Sequence, residues 1–150
     1  MELREYLEQG KIWYKFIDKP ETIHTAEAAE KTGIELKRVT KSLVLLDQDK
    51  KPVLAIIPGD SKLSFSKVKK AANAKKIRLV PSEEAENYSG YLPGATPMVC
   101  HKVRMKVIFD KKLLQYESIY GGGGERTKLI ELKTTDVIRL NEAIVADITE

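Results

Sequence analysis

Apolar and polar positions along this chain change period several times. In "RVTKSLVLLDQDKKPVLAIIPGD", Val39, Lys41, Leu43 and Leu45 recur every second residue, as on one face of a strand. The polar stretch "DQDKK" separates Val39–Leu46 from Val53–Ile57, and the two runs predict a β-hairpin. Upstream, "MELREYLEQ" predicts a short amphipathic helix ending near Gly10, and "IWYKFI" a strand. In "IHTAEAAEKTG", Thr25 is the expected N-cap, Glu27 complements the helix start and Gly33 is the expected stop. Downstream, Ser64 caps a helix through Ala72 with Asn73 as its left-handed stop, "KKIRLV" is a strand closed by Pro81, and Ser82 caps "EEAENY". Strands follow at "MKVIF", "YESIY", "KLIEL" and "EAIVADI", with Thr134 capping and Asn141 ending a helix before the last. Hairpins mixed with helical crossovers predict an α+β fold: a mixed, partly closed β-sheet of about seven strands with several short helices.

At 150 residues the expectation is a single domain over 1–150 with a substantial core. No apolar run reaches membrane-spanning length, and the charged N-terminus lacks the apolar stretch of a signal peptide. One cysteine, Cys100, excludes an internal disulfide and suits a reducing cytoplasm. No Cys/His cluster has zinc spacing, so no metal and no cofactor is expected. The net charge of +4 is mild, but "SKLSFSKVKKAANAKKIR" carries Lys62, Lys67, Lys69, Lys70, Lys75, Lys76 and Arg78 with no acid. That density suits a polyanion such as RNA, and equally a solvated helix face.

Four features carry candidate chemistry. Lys41 shares a strand face with large apolar side chains. Its ammonium either snorkels to water or stands at a pocket's edge, aimed at a phosphate or carbonyl oxygen. In "GYLPGATPMVCHK", Pro93 and Pro97 rigidify a loop in which the N–H groups of Gly94, Ala95 and Thr96 can face an oxyanion; a plain tight turn is the alternative. The run Gly121–Gly124 costs conformational entropy, which a flexible hairpin loop or close ligand contact would explain. His24, before a helix start, can bind an anion or merely donate a hydrogen bond. No Gly-x-Ser-x-Gly elbow is present, and Cys100 beside His101 has no third group to orient it.

Taken in order, "HTAEAAEKTG", "VTKSLVLL", "VLAIIPGD", "KKAANAKKIRLV", "SGYLPGATPMV", "YESIYGGGGERTKLIEL" and "NEAIVADI" resemble the YbaK-type aminoacyl-tRNA editing domains. That family includes the editing insertion of bacterial prolyl-tRNA synthetases and its freestanding relatives. The resemblance runs from about Ile12 to the C-terminus and, with no synthetase catalytic region present, implies a freestanding, trans-acting deacylase of mischarged tRNA. It implies a site centred on Lys41 and on the loop of Gly94, Ala95 and Thr96, with His24, Gly59, Asp60, Pro97, His101, Gly121, Gly122 and Gly123 around the substrate. Lys67, Lys69, Lys70 and Lys75 would contact tRNA. A synthetase partner is a further implication, and no membrane is involved. The chain departs from the family where many members have Gly-x-x-x-Pro: the residue four before Pro97 is Pro93, which has no N–H. A non-catalytic module that binds a tRNA acceptor end or an adenosine-containing ligand is the rival reading. A scaffold kept only for protein interaction is a third.

Overall fold

The computed structural model describes residues 1–150. Its two sheets arise from the alternations just described. The larger contains β2 (Thr40–Asp47), β3 (Pro52–Pro58), β4 (Ile77–Leu79), β5 (Lys106–Asp110) and β8 (Ile144–Ala146), in the order β4-β2-β3-β5-β8. β2 pairs antiparallel with β3 and β4, whereas β3–β5 and β5–β8 are parallel, so this sheet is mixed. The smaller, wholly antiparallel sheet has the order β1-β7-β6, from β1 (Tyr14–Asp18), β7 (Lys128–Lys133) and β6 (Ser118–Gly122). The α+β class holds, but the partly closed single sheet does not: eight strands form two open sheets. They meet at one bridge, Val39 to Tyr120, reinforced by the Thr40 hydroxyl donating to the Tyr120 carbonyl at 2.9 Å.

The main core lies between the sheets. Val44, Leu46, Leu54, Ile56, Val107 and Phe109 from the large sheet meet Ile119, Ile130 and Leu132 from the small one. The opposite face of the large sheet, with Leu45, Val53, Ala55, Ile57 and Ile108, is covered by Val68 and Ala72 at α3 (Phe65–Ala71). Both faces of β3 are therefore dry, which explains its unbroken apolar run.

Helices α1 (Leu3–Gln9), α2 (Thr25–Thr32), α4 (Ser82–Ser89) and α5 (Thr134–Asn141) complete the fold. Ser64 caps α3 as expected, its hydroxyl accepting from Lys67 N–H at 3.3 Å, and Gly33 and Asn73 take left-handed φ of 73° and 54°. The other expected caps shift by one residue. His24, not Thr25, is the N-cap of α2, because Glu27 then sits three residues on and accepts the His24 N–H at 3.4 Å. Pro81 and Lys133 precede α4 and α5, so Ser82 and Thr134 are helical. The Thr134 hydroxyl instead donates to Tyr116 O at 2.6 Å, and Glu142 rather than Asn141 takes the left-handed turn at φ 50°.

A candidate active-site cavity between the sheets

A cavity of about 430 Å³ opens where the sheets meet. Its walls come from β2, the residues after β3, the start of α2, the β4–α4 junction and the Pro93–Thr96 loop. Lys41 is the one lysine or arginine in the lining, and no aspartate or glutamate is present. The lysine is half-buried at the open end of β2, beyond the part of that face covered by α3. Its ammonium donates to the Ser61 carbonyl at 3.3 Å and has no carboxylate within ion-pair range. A lone cation in a hollow with no carboxylate favours an anionic or strongly dipolar ligand, because nothing in the lining offsets its charge.

The Pro93–Thr96 loop begins with a type II turn. Pro93 and Gly94 occupy its centre, Gly94 at φ 87°, and Ala95 N–H donates to Leu92 O at 3.0 Å. That bond removes Ala95 from the three amides expected to face an oxyanion. The N–H groups of Gly94 and Thr96 have no acceptor within the chain, and both residues line the cavity. Glycine at 94 is required twice over, by its φ and by Ile23, whose Cα lies 2.7 Å from where a Cβ would stand. Beside this turn, just beyond Ile23, the N–H groups of Thr25 and Ala26 in the first turn of α2 are also without backbone acceptors. They present the positive end of the helix to the same space.

The turn is held from behind. Arg126 Nε donates to Pro93 O at 2.8 Å, Gly124 N–H donates to Ala95 O at 2.9 Å, and Asn141 Nδ2 donates to Met98 O at 2.8 Å. Buried Lys19 joins the neighbouring His24 segment to the same bracket by donating to Thr22 Oγ1 at 2.6 Å and to the Arg126 carbonyl. Burial lowers the Lys19 pKa, while Glu21 and Glu27 oppose that shift. Nothing in the sequence marked Lys19 or Arg126, since each acts through residues distant in the chain.

Of the expected site residues, His24, Lys41, Gly59, Gly94, Thr96 and Gly122 line this cavity. The others stand apart. Ala95 is buried behind the turn, and Asp60 is exposed outside the cavity, next to Ser61. His101 sits behind the loop, its Nε2–H donating to Pro97 O at 2.8 Å, and burial lowers its pKa against the opposing effect of that bond. Only half of the glycine run is loop: Gly121 and Gly122 belong to β6, and Gly123 and Gly124 open the β6–β7 connection. A Cβ on Gly122 would lie 2.5 Å from Thr96 O, one on Gly121 2.8 Å from Met98 Cγ, and one on Gly123 2.8 Å from Lys128 Cβ. These glycines admit neighbouring protein atoms. Gly59 likewise passes Val39 O, which a Cβ would approach to 2.3 Å.

The aminoacyl-tRNA editing domain model matches residues 19–140. The chain belongs to that family. It is 30% identical over 146 residues (95% of this chain, 89% of the relative) to an Enterococcus faecalis protein named "Putative Cys-tRNA(Pro)/Cys-tRNA(Cys) deacylase EbsC". It also matches the proline–tRNA ligase of Aquifex aeolicus at 27% identity over 71% of this chain, spanning only 19% of that enzyme. Among solved structures, "hypothetical protein APE2540" superposes with a TM-score of 0.91 at 28% identity, covering 99% of both chains. "Crystal structure of a putative trans-editing enzyme for prolyl tRNA synthetase" matches with a TM-score of 0.85 at 26% identity, over 99% of this chain and 94% of that one. The chain is thus an aminoacyl-tRNA editing domain related to those of prolyl-tRNA synthetases, and no helix in it is long and apolar enough to cross a membrane.

Proposed function

We propose that this protein is a trans-acting deacylase that hydrolyses the ester of mischarged tRNA. The observation that carries the reading is convergence: Lys41, the free N–H groups of Gly94 and Thr96, and the first turn of α2 surround one cavity that contains no carboxylate. The 3′-terminal adenosine and its amino acid enter this space. The α2 N-terminus and Lys41 hold the phosphate and ribose end, and the Gly94 and Thr96 amides receive the ester carbonyl oxygen. Water adds to the ester carbon, the bond from that carbon to the ribose oxygen breaks, and the proton lost by water goes to the departing ribose oxygen. The products are a free amino acid and tRNA with an intact 3′ end. An aminoacyl ester is already activated, so positioning and oxyanion stabilisation supply much of the rate without a protein base.

A panel of tRNAs, each charged with a labelled non-cognate amino acid, tests this reading. Release of label from at least one member, abolished in Lys41→Ala, supports it. Binding of tRNA without turnover across the whole panel would assign the chain to the non-catalytic class instead.

A further inference from the structure

A second hollow, of about 600 Å³, lies at the far end of β2, walled by the β2–β3 hairpin, the start of α3 and β4. Its charge is lopsided: Lys50, Lys69, Lys75, Lys76 and Arg78 line it, against one carboxylate, Asp47. That carboxylate is already engaged, since Oδ1 accepts the Asp49 and Lys51 backbone N–H groups at 2.8 and 2.9 Å within the hairpin turn. None of the five cations has an acid within ion-pair range. Gln48 Oε1 accepts the Lys75 N–H at 3.0 Å, which fixes the lysine-bearing segment to the hairpin. Phe65, 45% exposed, stands in the same wall. Five cations against one carboxylate repel one another unless an anion joins them, and cations beside an exposed aromatic ring match the phosphates and bases of RNA.

The groove's position ties it to the cavity. β4 is the edge strand of the large sheet; Arg78 lines the groove, and the next residue, Leu79, lines the cavity. We propose that this groove binds the backbone of the same RNA whose 3′ end enters the cavity, with Phe65 packing against a base or ribose. The inference rests on the reading of the cavity as an aminoacyl-tRNA site. It also redraws the basic patch. Lys67 is occupied, donating to Asp147 at 2.9 Å and to Thr149 O at 2.8 Å, and Lys70 lies outside the groove. Lys50, Lys76 and Arg78 join Lys69 and Lys75 in their place.

The test compares the full-length chain with the exposed triple variant Lys69→Glu/Lys75→Glu/Arg78→Glu and with Phe65→Ala. Probes are an uncharged acceptor minihelix for binding, and an aminoacylated minihelix and an aminoacylated adenosine for hydrolysis. The triple variant should raise the minihelix Kd at least tenfold and flatten the slope of log K against log salt by about 2 to 3, given roughly 0.9 for each phosphate no longer neutralised. Its hydrolysis of aminoacylated adenosine should match wild type. Phe65→Ala should weaken binding severalfold at an unchanged salt slope. Wild-type minihelix affinity in the triple variant would overturn the groove, as would equal losses on the short and long substrates. So would polyglutamate competing as well as RNA. Should the wild type hydrolyse no ester yet bind the minihelix through these residues, the groove stands and the deacylase reading fails.

Discussion

Lys41 and Gly94 both line the cavity, and each answers to a different physical constraint. The ammonium of Lys41 has only a carbonyl for company, so its removal leaves no buried partner unsatisfied. Lys41→Ala should therefore shift Tm by no more than a few degrees while abolishing most hydrolysis, as thermal melts and single-turnover assays would read. Gly94 is bound up with the backbone itself. Gly94→Ala must place a Cβ against Ile23 at an unfavourable φ, which should cost about 1–3 kcal/mol of stability and displace the turn from the substrate. The lysine was legible early because a cation on an apolar strand face demands an explanation. The exclusion of Ala95 was not legible, because whether an amide is free depends on a turn hydrogen bond that residue type alone does not reveal.

At the scale of elements, the cavity wall is two turns clamped together. Arg126 holds the Pro93 carbonyl, while its own carbonyl receives Lys19 and the Thr22 N–H. Removing a hydrogen bond of this kind costs about 0.5–1.5 kcal/mol, so Arg126→Ala should lower kcat/KM by up to about tenfold. The loss should fall mainly on kcat, with partial recovery in Arg126→Lys; unchanged kinetics would show that the clamp is dispensable. The β2–β3 hairpin and the Gly33 and Asn73 helix stops were readable because each is set by period or local turn chemistry. The glycine run resisted reading for the opposite reason. At Gly121 and Gly122 the lack of side chains is dictated by Thr96, Ala95 and Met98, which reach β6 only in the folded chain.

The molecule as a whole is two open sheets sharing one core, with the cavity at their junction. Phe109, fully buried between the sheets, should cost about 3–5 kcal/mol when cut to alanine, measured by denaturant unfolding. Acid should also weaken the fold through His101. Its pKa in the folded chain lies below the ordinary value near 6.5, so the unfolded chain takes up the proton first. The stability from neutral His101 is full above pH 6.5 and declines as pH falls toward and through the lowered folded value. His101→Gln should flatten that part of the stability–pH curve, because a glutamine amide can still donate to Pro97 O without titrating.

The most direct measurement is the rate of label release from mischarged tRNAs by wild type and by Lys41→Ala, with the fold of both checked by thermal melting. The expected result is rapid release from at least one charged tRNA by wild type and near-background release by the folded variant. Equal rates in the two folded proteins would contradict the central role given to that lysine and to the cavity it lines.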